Sequence, residues 1–206
     1  ALIETGGSLW QDRATGRSHY YVPKEGKVSV LFAGSLWLGG ISPDQTLKMA
    51  AVLYRYSGND YWAGPLTNDG TASVNENTCE EWDRFSVSYR QDAQRHRQYF
   101  ECLSQNDCDV DATMGGPYSI PGYFYDYPAM GNTALGQDLY IAPFYDFDQD
   151  GLYTPENGDY PWFDFLREIN CATRRREDIV PLFGDINYYW VFNDKGNAHT
   201  ESQGQP

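Results

Sequence analysis

Arg17-Ser18-His19-Tyr20-Tyr21-Val22 and Lys27-Val28-Ser29-Val30-Leu31-Phe32, joined by Pro23-Lys24-Glu25-Gly26, form the stretch on which the reading of the fold turns. β-Branched and aromatic residues fill both runs, and such side chains pack well on a pleated surface. Pro and Gly in the joining segment supply turn geometry, so the stretch predicts an antiparallel hairpin. Working outward, Leu31–Leu38 is a more apolar run cut by Gly34 and ended by Gly39-Gly40. Leu47–Tyr56 is apolar enough for a central strand, although its Ala and Met residues would also suit a helix. Ser57-Gly58-Asn59-Asp60 and Gly64-Pro65 then bring turn chemistry around Tyr61 and Trp62. The tetrapeptide Gly7-Ser8-Leu9-Trp10 recurs as Gly34-Ser35-Leu36-Trp37, too small a match for a repeat architecture and readable as a local β echo.

Further along, Tyr89–Leu103 lacks Gly and Pro and is rich in helix formers, which predicts one short helix. Its Arg95-His96-Arg97 cluster reads as a solvated face, and the alternating Phe85, Val87 and Tyr89 predict a short strand feeding it. Residues 104–145 read as loops with aromatic anchors, and Ile186–Phe192 as a closing strand. The polar tail after Asn193, His199 included, reads as exposed. The expected architecture is therefore mainly β: antiparallel, turn-rich and sandwich-like. It is read as a single module over residues 1–206, with a basic, irregular insertion at 162–180 that holds Arg174-Arg175-Arg176.

Composition narrows the function classes. The 206 residues include 17 Tyr, 6 Trp, 20 Gly and 11 Pro, which argues for an ordered chain of short strands and many turns. The mean hydropathy of -0.62 agrees with that. A formal charge of -14 would repel nucleic acid and anionic membrane surfaces, attract divalent cations and keep the chain soluble. No run approaches the ~18–20 apolar residues of a transmembrane segment. The chain begins at Ala1 without a basic and apolar leader, which fits a mature secreted protein or a piece of a longer one.

Cys79, Cys102, Cys108 and Cys171 fit no zinc ribbon or finger and no Cys-x-x-Cys redox pair. Three pairings are open to them. The shortest closure joins Cys102 to Cys108, worth roughly 2 kcal/mol by loop-closure entropy, and leaves Cys79 with Cys171. The competing reading is four reduced thiols. Disulfides would place the chain in an oxidising, extracellular setting.

The strongest motif is Asp146-Phe147-Asp148-Gln149-Asp150-Gly151-Leu152-Tyr153-Thr154-Pro155-Glu156-Asn157-Gly158-Asp159. Acidic side chains at alternating positions converge when the backbone curls around a hard cation. Gly at the sixth position allows the sharp turn, and the seventh carbonyl, that of Leu152, adds an oxygen. This is an EF-hand-like calcium loop at 146–159, with Asp146, Asp148, Asp150 and Leu152 as ligands and Tyr153 as the anchor. At the twelfth position, where an EF-hand carries Glu, stands Asn157, so Glu156 or Asp159 must close the sphere. Pro155 argues against a regular exiting helix and hence against a paired-helix switch.

Several segments resemble the N-terminal region of large secreted or surface proteins of Bacteroidetes exported by the type IX, gliding-associated pathway. They are Leu2-Ile3-Glu4-Thr5-Gly6-Gly7, Phe32–Gly40, Ser57–Leu66, Cys79 with Trp82-Asp83-Arg84, Tyr127–Asn132, the calcium loop running into Gly158-Asp159-Tyr160-Pro161, and Trp190–Asn197. The matches keep a consistent order over most of the chain. The departures are the insertion around Trp162–Val180, with Cys171, and Met130 where those proteins often have His. The resemblance implies an extracellular, β-rich protein.

Three functions follow as expectations. The first is a structural or adhesive surface protein, a calcium-stabilised subunit of a fibre, layer or matrix that associates with itself or with other surface proteins. The second is a carbohydrate-binding module for glycans, with Tyr61, Trp62, Tyr123 and Tyr125 as stacking platforms. A secreted hydrolase is the third, resting only on the abundance of carboxylates. No Gly-x-Ser-x-Gly, His-Glu-x-x-His, Walker or dinucleotide motif occurs, and His19, His96 and His199 have no metal-ligand spacing, so no catalytic residue is assigned.

Overall fold

A computed structural model of the chain describes residues 1–54, 57–72, 75–163, 166–169, 176–180 and 184–204. The structure is strand-rich and antiparallel with a few short helices. The strands pair as eight two-stranded ladders among the described residues, not as the two broad sheets of a sandwich. Gly and Pro interrupt the apolar runs too often for longer strands. The chain divides into two compact units, one of Ala1–Arg84, Thr133–Asp138 and Trp190–Pro206, the other of Phe85–Asn132 and Leu139–Tyr189.

In the first unit the expected hairpin forms, with Tyr20–Tyr21 pairing Ser29–Leu31. The recurring tetrapeptides pair with each other: Ser8 lies opposite Ser35 and Leu9 opposite Gly34. Gly34 is required there, because a Cβ would come within 2.8 Å of the Trp10 ring. Trp37–Ile41 pairs with Leu47–Ala51, and its five residues are all exposed. The strand read as central, Leu47–Tyr56, is thus shorter and belongs to a two-stranded ladder; Arg55 and Tyr56 lie outside the described residues. A small core of Ala50, Val52 and Tyr61 packs with Phe192.

The polar tail is the clearest departure from expectation in this unit. Glu201 is 1% exposed and His199 is 7% exposed. Leu53 N–H donates to Glu201 Oε1 at 2.6 Å, and Arg13 Nη2 reaches Oε2 at 2.7 Å. Asp60, also buried, accepts the backbone N–H groups of Ala51, Glu201 and Ser202. Burial, the largest single influence, pushes the Asp60 carboxyl pKa up, but the Ser202 hydroxyl and these amide bonds together bring it below its ordinary value. The tail is polar because it supplies ligands to buried charges, not because it is solvated.

In the second unit Ser86–Tyr89 leads directly into a helix, Arg90–Leu103, as read from the sequence. The strand pairs with Ile186–Tyr189. Two further short helices, Glu76–Trp82 of the first unit and Val110–Met114 here, correct the expectation of a single helix. Both are capped by side chains, Asn75 receiving Thr78 N–H and Asp109 receiving Ala112 N–H at 3.0 Å each. Cys102 and Cys108 stand at disulfide distance, with Cα atoms 5.3 Å apart, and tie the end of the long helix to the start of the next. Cys79 makes no disulfide among the described residues, and Cys171 lies outside them. The insertion contains an antiparallel pair, Leu166–Ile169 with Arg176–Val180, where an irregular segment was expected; Arg174 and Arg175 lie outside the described residues. No helix among the described residues is long and apolar enough to cross a membrane.

Two aromatic clusters hold this unit together. One joins Ala93, Phe124, Tyr160 and Phe163, the other Tyr127, Ala129 and Ala142. Burying each large ring contributes on the order of 1.5–3 kcal/mol. His96 lies in the first of these regions and is 0% exposed, which overturns its reading as part of a solvated face. Its ring packs 4.8 Å from Phe100 and 5.0 Å from Phe124, and Nδ1 lies 2.7 Å from the Tyr118 hydroxyl. Arg97 keeps the expected surface role, pairing with Glu101 at 2.6 Å.

Candidate metal centre

The loop begins where Phe144–Tyr145 ends its pairing with Tyr160–Pro161. That short ladder, together with the stacking of Tyr145 on Tyr160 at 4.9 Å, brings the two ends of the loop together. Within it the backbone winds through left-handed geometry at Gln149 (φ 62°) and Gly151 (φ 78°). The side chains of the acidic residues hold the turn. Gly151 N–H donates to Asp146 Oδ2 at 2.9 Å, Asp150 N–H to Asp148 Oδ1 at 3.3 Å, and Leu152 N–H to Asp150 Oδ1 at 2.7 Å. These bonds curl the chain so that alternate carboxylates face one another.

Asp146, Asp148, Asp150 and Asp159 each offer an oxygen, and these four atoms all lie within 4.8 Å of one another. The four residues could therefore hold a metal ion. An all-carboxylate donor set suits a hard divalent cation rather than a thiophilic one. The fit is supported by Asp146 Oδ1, which is buried and has no hydrogen-bond partner among the described residues. A buried carboxylate oxygen left unsatisfied is costly, and a cation at the centre of the cluster would satisfy it.

Of the two residues left open to close the sphere, Asp159 joins the cluster and Glu156 does not. Asp159 is 0% exposed, and its oxygens accept Phe147 N–H and Thr154 N–H, both at 2.8 Å. Burial raises its pKa, and Asp148 and Asp146 add to the rise, while the two amide bonds oppose it. Glu156 is exposed on the single 3-10 turn Pro155–Asn157 and sits beside the Tyr125 hydroxyl. Pro155 has its expected effect, since the loop leaves in one tight turn and not in a regular helix. Gly158 then reverses the chain at φ 108°, and a Cβ there would come within 2.8 Å of the Phe147 ring.

Leu152 keeps its position in the turn, with its side chain half exposed. Tyr153 anchors the loop as expected, packing near the Tyr127 cluster and donating from its hydroxyl to Phe124 O at 2.9 Å. Asn157, read from the sequence only as a departure from an EF-hand, has a part of its own. Its Nδ2 donates to Asp148 Oδ2 at 2.8 Å, holding that carboxylate in the cluster. The spacing that put it at the twelfth position was the available signal.

His96 lies beneath the exit of the loop. Its Nε2 has no hydrogen bond of good geometry among the described residues and faces the backbone of Pro155, Gly158 and Asp159. Burial among aromatic rings depresses its pKa to about 4, and the neighbouring backbone acceptors only partly offset that.

The four aromatics read as stacking platforms divide between the two units, Tyr61 and Trp62 in the first, Tyr123 and Tyr125 in the second. Tyr61 is a core residue, 5% exposed, with its hydroxyl donating to Ala50 O at 2.9 Å and Leu36 O at 3.1 Å. Burial raises its pKa to about 12. Trp62 stacks on His199 with ring centres 6.0 Å apart. Tyr123 is half-buried and donates to Asp92 at 3.0 Å. Tyr125 alone of the four is more than half exposed, at 52%.

No protein-family model matches this chain, and neither does any curated protein or any solved structure.

Proposed function

We propose that this chain is a non-catalytic, extracellular surface protein, a subunit of a fibre, layer or matrix whose Asp146–Asp159 loop is made rigid by Ca2+. The reading rests on one observation above all: four carboxylates are gathered within 4.8 Å, one of them with a buried, unsatisfied oxygen. Calcium accepts six to eight oxygens in flexible geometry, whereas Mg2+ demands a near-octahedral shell and keeps its waters. Loops of this type in extracellular modules bind at roughly 10⁻⁴–10⁻³ M, an affinity suited to a structural ion where calcium is abundant. The Cys102–Cys108 bridge and the resemblance to type IX-exported proteins of Bacteroidetes support the same location.

Self-association is supported by the Trp37–Ile41 strand. It is exposed along its whole length and, among the described residues, pairs with one neighbour only. Trp37, Ile41 and Leu47 of that ladder are 66%, 69% and 63% exposed. An apolar, uncharged edge of this kind is a template for another strand.

The test is electron microscopy and light scattering of the native material in calcium, before and after EGTA. Ordered assemblies that loosen on chelation are the expected result. A particle that stays monomeric in calcium would refute the assembly reading, and a melting temperature indifferent to chelation would refute the ion.

A further inference from the structure

The first unit contains a cleft of about 240 Å³ that no part of the calcium reading uses. Its rim carries three aromatic side chains, Trp37, Tyr54 and Phe32, which are 66%, 58% and 39% exposed. Phe32 and Tyr54 meet edge to face with centroids 5.3 Å apart. Ser35, Gln11 and Ser8 also line it, the last two 8% and 3% exposed.

Two features distinguish the cleft from an ordinary exposed apolar patch. Trp37 is held in place: its Nε1 donates to Ser35 Oγ at 3.0 Å and to Val52 O at 3.1 Å. An indole whose polar edge is tied down and whose ring remains two-thirds exposed is a fixed platform, with little rotamer freedom left to lose when something stacks on it. Second, among the described residues none that lines the cleft is an Asp, Glu, Lys, Arg or His, in a chain of formal charge -14. A charged ligand would find no counter-charge among those residues. Of the polar residues that line it, Ser35 already donates its hydroxyl proton to Val52 O at 2.9 Å and is left as an acceptor, while the Ser8 hydroxyl and the Gln11 amide are of types that both donate and accept.

We infer that this cleft binds a neutral saccharide, one pyranose ring stacking by its C–H face on Trp37 while its hydroxyls exchange hydrogen bonds with the Ser and Gln side chains. A pyranose matches both requirements, with an apolar face and a rim of uncharged hydroxyls. The volume falls below the ~300–1,000 Å³ of a drug-sized ligand site. One ring is therefore enclosed and the rest of an oligosaccharide runs out along the surface. This adds a ligand class to the surface role and stands on residues separate from the metal loop.

The test uses the whole chain in calcium-containing buffer. Isothermal titration and tryptophan fluorescence are read with cello-, manno-, xylo-, laminari- and chito-oligosaccharides as neutral probes, and with a uronic-acid oligomer as the charged one. At least one neutral probe is expected to bind. Trp37→Ala should weaken that binding about tenfold or more, and Tyr54→Ala should weaken it as well. Tyr125→Ala, an exposed aromatic change in the other unit, should leave it unaltered. All three aromatic changes are at exposed positions, and circular dichroism checks that the variants fold. Binding by no neutral probe, binding indifferent to Trp37→Ala, loss through Tyr125→Ala, or preference for the charged probe would each overturn the proposal. Trp37 also opens the strand on which the assembly reading rests, so light scattering is compared for Trp37→Ala and for Tyr54→Ala, which lies outside that strand and should weaken sugar binding without changing assembly.

Discussion

Asp150→Asn offers a test of the loop in which the sign of the effect reverses with calcium. In the native loop the ligand oxygens of Asp150 and the three other Asp residues lie within 4.8 Å of one another. Two unit charges at that separation repel by about 0.9 kcal/mol at the dielectric constant of water. Asp150 takes part in three such pairs, and salt screens part of their sum. Neutralising it should therefore stabilise the ion-free protein by about 1–2 kcal/mol. The substitution spares the local turn, because the Asn Oδ1 can still accept Leu152 N–H as Asp150 Oδ1 does at 2.7 Å. With calcium the balance changes. An ion at 100-fold above its Kd stabilises the folded wild type by about 2.7 kcal/mol, which for a chain of this size raises Tm by roughly 5–11 °C. The variant, short of one charged ligand, should lose most of that gain. Thermal denaturation followed by circular dichroism, in EGTA and in a calcium series, reads both effects. The expected pattern is a variant that melts above wild type in EGTA and below it in excess calcium. A variant that is less stable in EGTA yet shows the full calcium shift would refute both the repulsion and the ligation.

Three further outcomes follow from other parts of the structure. His96 is buried with its pKa depressed from 6.5 to about 4, so the unfolded chain binds the proton more readily. Its contribution is complete above about pH 6.5 and is lost as pH falls toward 4, on the order of 3 kcal/mol in all; urea titrations of wild type and His96→Gln should show a shallower acid limb in the variant, and equal slopes would contradict this. Gly158→Ala places a Cβ 2.8 Å from Phe147 and 3.0 Å from Phe100 at φ 108°, which should cost about 2–4 kcal/mol in chemical denaturation. Glu201→Ala removes the buried partner of Arg13 and of Leu53 N–H; a loss of about 2–4 kcal/mol and faster proteolysis of the tail are expected, and a tail as resistant as in wild type would show that it is held by other contacts.

Much of the local structure was legible in the sequence. The Tyr20–Tyr21 and Ser29–Leu31 hairpin, the strand entering the Arg90–Leu103 helix, the Cys102–Cys108 closure and the curl of the Asp-x-Asp-x-Asp-Gly turn each depend on residues close in the chain, where backbone propensity and short loop closure decide the outcome. The two missed helices had Asn75 and Asp109 as visible N-caps, but spans of seven and five residues leave too little periodicity to read. Other features depended on folded geometry or on partners far away in sequence. Asp159 rather than Glu156 closes the carboxylate cluster because Gly158 turns the chain and the Phe147 and Thr154 amides fix the side chain, a choice made within the loop by its folded geometry and not by residue type. Exposed polar residues and buried polar residues are the same letters, so His96 among its rings and Glu201 against Arg13 were both read as solvated. Conversely, Trp37 and its neighbours look like core by composition and stand in solvent. Hydrophobicity states what a side chain gains from burial, and only the tertiary structure decides which side chains find something to be buried against.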